Sequence, residues 1–144
     1  GGQNEIGKAM KVDLDPHPLR LTGILAKRRD FFVWDWRIHF FTLEDFELKY
    51  YTVSDISPSG STCTHQDSSG FRDAIYVDDT IGPRKTLNLH GLSVEADDEM
   101  SKPMENLFVF NIYAIGRKGT VWCLGAPSEC IRAKWIAELT KSMQ

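Results

Sequence analysis

Residues 27–37, KRRDFFVWDWR, place four cations (Lys27, Arg28, Arg29, Arg37) and four aromatic rings (Phe31, Phe32, Trp34, Trp36) within eleven positions. Two carboxylates, Asp30 and Asp35, interrupt them. Arginine meets an oxygen-rich anion such as phosphate through a planar fork of donors, and lysine meets it as a compact point charge. Aromatic rings favour either burial or the boundary between water and hydrocarbon. The segment could therefore capture an anion beside an apolar surface. Alternatively, the cations snorkel into solvent, the rings pack on the domain, and the two aspartates fix the loop through its own backbone or through Arg28 and Arg29.

The other reactive side chains form no catalytic pattern. His17, His39, His65 and His90 lack metal-ligand spacing, and no Ser or Cys sits in a nucleophile motif. Cys63, Cys123 and Cys130 are odd in number and read as reduced thiols. The pairs Asp78-Asp79 and Asp97-Asp98 read as solvated loops. The expectation is a protein that is not an enzyme, with no catalytic residue, metal or cofactor.

At 144 residues, 42% hydrophobic and 26% charged, the chain suits one globular domain. A net charge of -3 argues against a nucleic-acid partner but permits a local basic patch. Acidic residues gather at 78–79 and 95–99, so the charge is polarised. No run approaches membrane-span length and no signal peptide is visible. The chain begins Gly-Gly without Met, as expected of an excised fragment whose parent could carry a lipid anchor further upstream.

These side chains must be positioned by strands. Residues 1–19 lack periodicity and read as a leader or linker. Strand patterns follow at 21–27, 36–43, 46–52, 85–89, 92–96, 107–113 and 120–124, with hairpin turns at 43–46 and 115–119. The Ser-, Thr-, Asp- and Gly-rich run 54–69 reads as a long mobile loop, with a short extra strand at 74–77. After Ala126-Pro127, Ser128 is a helix N-cap, and Ile131, Trp135, Ile136, Leu139 and Met143 recur at helical spacing. The exposed helix face is expected to carry Glu129, Arg132 and Lys141.

Side chains two apart on a strand share a face. Leu21, Gly23, Leu25 and Lys27 therefore align, as do Arg37, His39, Phe41 and Leu43, and Phe46, Leu48 and Tyr50. If that face is the interior, Lys27, Arg37, His39 and Tyr50 converge at one open mouth.

This order of elements resembles a pleckstrin-homology domain. The resemblance is carried by Gly23-Ile-Leu-Ala-Lys27, Trp36-Arg-Ile-His-Phe-Phe-Thr-Leu43, Leu48-Lys-Tyr-Tyr51, Pro83-Arg-Lys-Thr-Leu-Asn-Leu89, and Ala126-Pro127 followed by Trp135. It implies a mainly β fold with one α-helix: a bent seven-stranded antiparallel barrel capped by a C-terminal amphipathic helix. The domain would span 20–144, with an insertion at about 53–82 between the third and fourth strands. Trp135 would plug the barrel.

The resemblance also implies a lipid head-group site at Lys27, Arg28, Arg29, Arg37, His39, Tyr50, Arg84, Arg117 and Lys118. The second member of the family's strand-two arginine pair is here His39. Unlike arginine, histidine is mostly neutral near pH 7, so phosphatidic acid or a simple phosphoinositide is expected over polyphosphoinositides. The first hairpin loop, Phe31, Phe32, Val33 and Trp34, would insert in the membrane; otherwise it packs or meets a protein. Burying one such side chain is worth roughly 1.5–3 kcal/mol, and each cation near anionic lipid about 1 kcal/mol.

The implied protein is a monomeric, cytoplasmic signalling module, peripheral on the cytosolic face of a membrane. Within the family it is similar to the acylated, phosphatidic-acid-sensing proteins of apicomplexan parasites. A protein-interaction module on the same barrel is the alternative.

Overall fold

A computed structural model of the chain describes residues 19–29, 35–54, 62–65, 75–77, 82–102, 106–116 and 119–144. Residues 1–18 of the expected leader, Asp30, Phe31 to Trp34 of the expected insertion tip, Asp78-Asp79, and Arg117 with Lys118 lie outside the described residues, whereas Leu19 already belongs to the first strand.

Seven antiparallel strands form the main sheet: β1 (Leu19–Arg28), β2 (Trp36–Glu44), β3 (Glu47–Tyr51), β7 (Lys85–Asn88), β8 (Leu92–Ala96), β9 (Phe108–Ala114) and β10 (Thr120–Ala126). Their order is β7-β3-β2-β1-β10-β9-β8. Consecutive strands β7 and β8 thus lie at opposite edges, which requires the sheet to bend round and bring those edges together. At the β2–β3 hairpin Asp45 has φ 55, a left-handed conformation that a short polar side chain tolerates. Lys49 Nζ bridges the hairpin, 2.7 Å from Glu44 and 3.8 Å from Glu47.

A three-stranded sheet, β4-β6-β5, is built from β4 (Val53–Ser54), β5 (Thr62–His65) and β6 (Ile75–Val77). β6 matches the expected extra strand. β5 corrects the reading of 54–69 as an unbroken loop: a four-residue strand is too short for alternation to show, and it is defined by its pairing with β6.

Period-two alternation fills the interior. Leu25, Phe41, Leu43, Leu48, Phe110, Ile112 and Leu124 are all fully buried. The outer face of β1 to β3 is not purely polar, because Ile24 is buried among Ile38, Phe40, Tyr51 and Val53.

The C-terminal helix, here α2 (Glu129–Met143), begins at Ser128, whose hydroxyl accepts from the backbone N–H of Ile131. Its buried stripe is Arg132, Trp135, Leu139 and Ser142, spaced three, four and three. Trp135 is 2% exposed, meets Phe41 edge-on with centroids 6.5 Å apart, and packs over Gly23, where a Cβ would lie 3.5 Å from the indole.

Arg132 corrects the expectation of an exposed residue. It donates to the Val109 carbonyl at 3.0 Å, pairs with Asp98 at 2.9 Å and lies 5.7 Å over the Phe108 ring. Asp97-Asp98 is likewise more than a solvated loop. Asp97 caps α1 (Asp98–Ser101) by accepting from Met100 and also accepts from the Asn111 amide, while Asp98 holds the buried guanidinium.

Candidate functional site

The open end of β1, β2, β3 and β7 holds a cavity of about 310 Å³ lined by Lys27, Arg29, Arg37, His39, Tyr50, Arg84 and Lys85. Strand register explains the convergence. Lys27 is paired with Arg37 across β1 and β2, Phe41 with Tyr50 across β2 and β3, and Tyr50 with Lys85 across β3 and β7. Arg84 is fixed beside them by its own N–H donating to the Tyr50 carbonyl at 2.7 Å.

Lys27 sits against an aromatic wall. Its ammonium lies 5.5 Å from the Trp122 ring centroid and 5.8 Å from that of Tyr50. Burial lowers the Lys27 pKa, and neighbouring Lys85 lowers it further. Tyr50 is packed among His39, Phe41 and Trp122, at centroid distances of 4.4, 5.3 and 5.3 Å. Burial raises its phenol pKa, against a hydrogen bond from the Arg84 side chain that favours the phenolate.

His39 is held neutral. Burial, then the charges of Arg84, Lys27 and Arg37, depress its pKa from 6.5 to about 4. Among the described residues its buried Nδ1 has no hydrogen-bond partner. His39 thus offers a neutral imidazole against the Tyr50 ring.

Lys27, Arg29, Arg37, His39, Tyr50 and Arg84 are therefore brought together. Arg28 is not: it does not line the cavity, and strand parity turns it to the face opposite Lys27. Two residues escaped sequence reasoning. Lys85 follows Arg84 in Pro83-Arg-Lys, and its basic neighbour was the available signal. Trp122 lies two residues from core Leu124 on β10, so parity places it on the interior face.

With this geometry in view, solved structures identify the architecture. The C-terminal PH domain of human pleckstrin matches with TM-score 0.56 and 20% identity, covering 88% of this chain and 89% of that one. The fold is the pleckstrin-homology fold. The PH domain of ArhGAP27 matches with TM-score 0.55 and 17% identity, over 86% of this chain and 99% of the other. The Slm1-PH domain in complex with inositol-4-phosphate matches with TM-score 0.54 and 20% identity, over 89% and 100%. No family model and no curated protein matches the sequence.

The PH fold here carries the mainly β, seven-stranded architecture with its C-terminal helix that the sequence led us to expect. Among the described residues no helix is long and apolar enough to cross a membrane.

Proposed function

We propose that this PH fold is a membrane-recruitment module whose cationic mouth binds the phosphate of an anionic phospholipid. The observation that carries the reading is the lining of the cavity: five cations and, among the described residues, no carboxylate. Concentrating like charge in a half-buried mouth costs stability unless an anion enters, so the arrangement favours a ligand over a purely structural role. PH folds are generally binding modules rather than enzymes. Slm1-PH and the C-terminal PH domain of pleckstrin have been captured with inositol phosphates, which supports the same chemistry here.

Two features favour phosphatidic acid or a simple phosphoinositide over polyphosphoinositides. The cavity lies at the small end of ligand sites, and the neutral His39 removes one guanidinium fork. Phe31, Phe32, Val33 and Trp34 would enter the interfacial zone beside the mouth, with Arg117 and Lys118 flanking it. Residues 1–19 would connect this domain, 20–144 with its insertion at about 53–82, to its parent. The protein would be a monomer, peripheral on the cytosolic face. The narrower likeness to acylated proteins of apicomplexan parasites rests on the sequence alone.

Vesicle co-sedimentation tests the reading. Lys27→Ala/Arg37→Ala should abolish binding to phosphatidic-acid vesicles, and Trp34→Ala should weaken it while leaving salt sensitivity intact. Unchanged binding by both folded variants overturns the proposal. A protein partner retained by the double variant would favour the protein-interaction alternative.

A further inference from the structure

One carboxylate stands beside the cationic mouth without lining it. Asp35 Oδ2 lies 3.3 Å from Arg29 Nη1 and 3.4 Å from Arg37 Nε, whereas only the two arginines face the cavity. Its own position is fixed by the backbone, since the Arg29 N–H donates to the Asp35 carbonyl at 2.8 Å. Asp35 immediately precedes β2, which carries Arg37, and Arg29 immediately follows β1. A single oxygen therefore ties cations from both sides of the hairpin.

The register shows why such a tie is needed. Lys27 and Arg37 are directly opposed across β1 and β2, an arrangement that is repulsive for like charges. The Arg29 and Arg37 side chains are 59% and 56% exposed, so without an anchor each would sample many rotamers in water. The contact takes Arg37 through Nε, which leaves its terminal nitrogens for a ligand. Arg29 is held instead through its terminal Nη1, and the carboxylate itself does not line the cavity.

We infer that Asp35 is a positioning residue for head-group recognition: it converts Arg29 and Arg37 into a fixed pair that prefers a compact phosphomonoester to dispersed single charges. This rests on the proposed lipid-binding reading. It also reverses the prediction of simple charge counting, by which removing a carboxylate beside an anion site should strengthen every anionic interaction alike.

The test compares vesicles of phosphatidic acid with vesicles of phosphatidylserine at matched surface charge, for wild type, Asp35→Asn, Asp35→Glu and Glu99→Gln. Glu99 is paired with Lys102 on α1, and its neutralisation makes the same change in net charge without touching a cavity residue. Ordering one long side chain in advance affects binding by roughly three- to tenfold, which sets the expected size of the effect. The phosphatidic acid to phosphatidylserine ratio should fall by that factor in Asp35→Asn, recover in Asp35→Glu and stay at the wild-type value in Glu99→Gln. A ratio preserved in Asp35→Asn, or lowered equally in Glu99→Gln, overturns the inference while leaving lipid binding standing. Wild type that binds neither vesicle overturns both. Competition by free inorganic phosphate separates the two sources of the anion: displacement at equal phosphate concentration would show capture of the free ion and overturn the lipid assignment. Near-ultraviolet circular dichroism confirms that each variant is folded.

Discussion

Replacing His39 with Gln removes a titrating group from the cavity while keeping a polar side chain of similar reach. In the folded protein His39 resists protonation until about pH 4, whereas in the unfolded chain it protonates near 6.5. Between these values unfolding takes up a proton, so acid favours the unfolded state. The contribution is complete above about pH 6.5 and is lost as pH falls toward 4. The gap corresponds to at most about 3 kcal/mol. His39 is only half-buried, and solvent screening reduces the expected value to roughly 1–2 kcal/mol. Urea unfolding of wild type and His39→Gln at pH 7.5 and 4.5 reads this directly. Wild type should lose about 1–2 kcal/mol more than the variant on acidification. Superimposable pH dependences in the two proteins would refute the neutral, cation-flanked histidine. A bound phosphate should shrink the difference, since its charge opposes that of Arg84, Lys27 and Arg37.

Three further outcomes are expected. Lys27→Met should weaken vesicle binding about tenfold or more yet leave unfolding stability unchanged or higher by about 0.5–1 kcal/mol, because a partly desolvated cation beside Lys85 is removed; paired binding and denaturation curves test this. Arg132→Leu should cost about 1–3 kcal/mol by removing the guanidinium's hydrogen bond to the Val109 carbonyl, which keeps its bond from the Asp97 N–H, while Asp98→Asn, at an exposed carboxylate, should cost under about 1 kcal/mol in the same denaturation assay. In Gly125→Ala the new methyl would overlap the Leu107 side chain, at an expected cost of about 1–3 kcal/mol that Leu107→Ala partly relieves in a double-mutant cycle.

The interior was legible because a strand alternates with a period of two. Once Leu25, Phe41, Leu43 and Leu48 are assigned inward, Lys27, Arg37, His39 and Tyr50 follow without further information. The helix was legible from Ser128 and the spacing of Trp135 and Leu139. What escaped depends on neighbours that sequence order does not reveal. Lys85 enters the cavity because β7 lies beside β3 rather than beside β8. Trp122 supports Lys27 from a strand near the other end of the chain. Arg132 looks like a solvated helix residue until α1, thirty-odd residues earlier, supplies Asp98. The β5 strand has four residues, and its pairing is decided by β6.

The direct pairing of β3 with β7 has an evolutionary consequence. Tyr50 and Lys85 are cross-strand partners, although a long run of chain separates them. With both ends pinned side by side, each doubling of the intervening length costs only about 0.6 kcal/mol of closure entropy. The core is therefore nearly indifferent to what is spliced there, and a lineage could lengthen, shorten or exchange the segment at little risk to folding. Both pinning residues also line the cavity, so any sequence installed at this junction arrives at the rim of the cationic mouth, where it could acquire a role in admitting or excluding ligands.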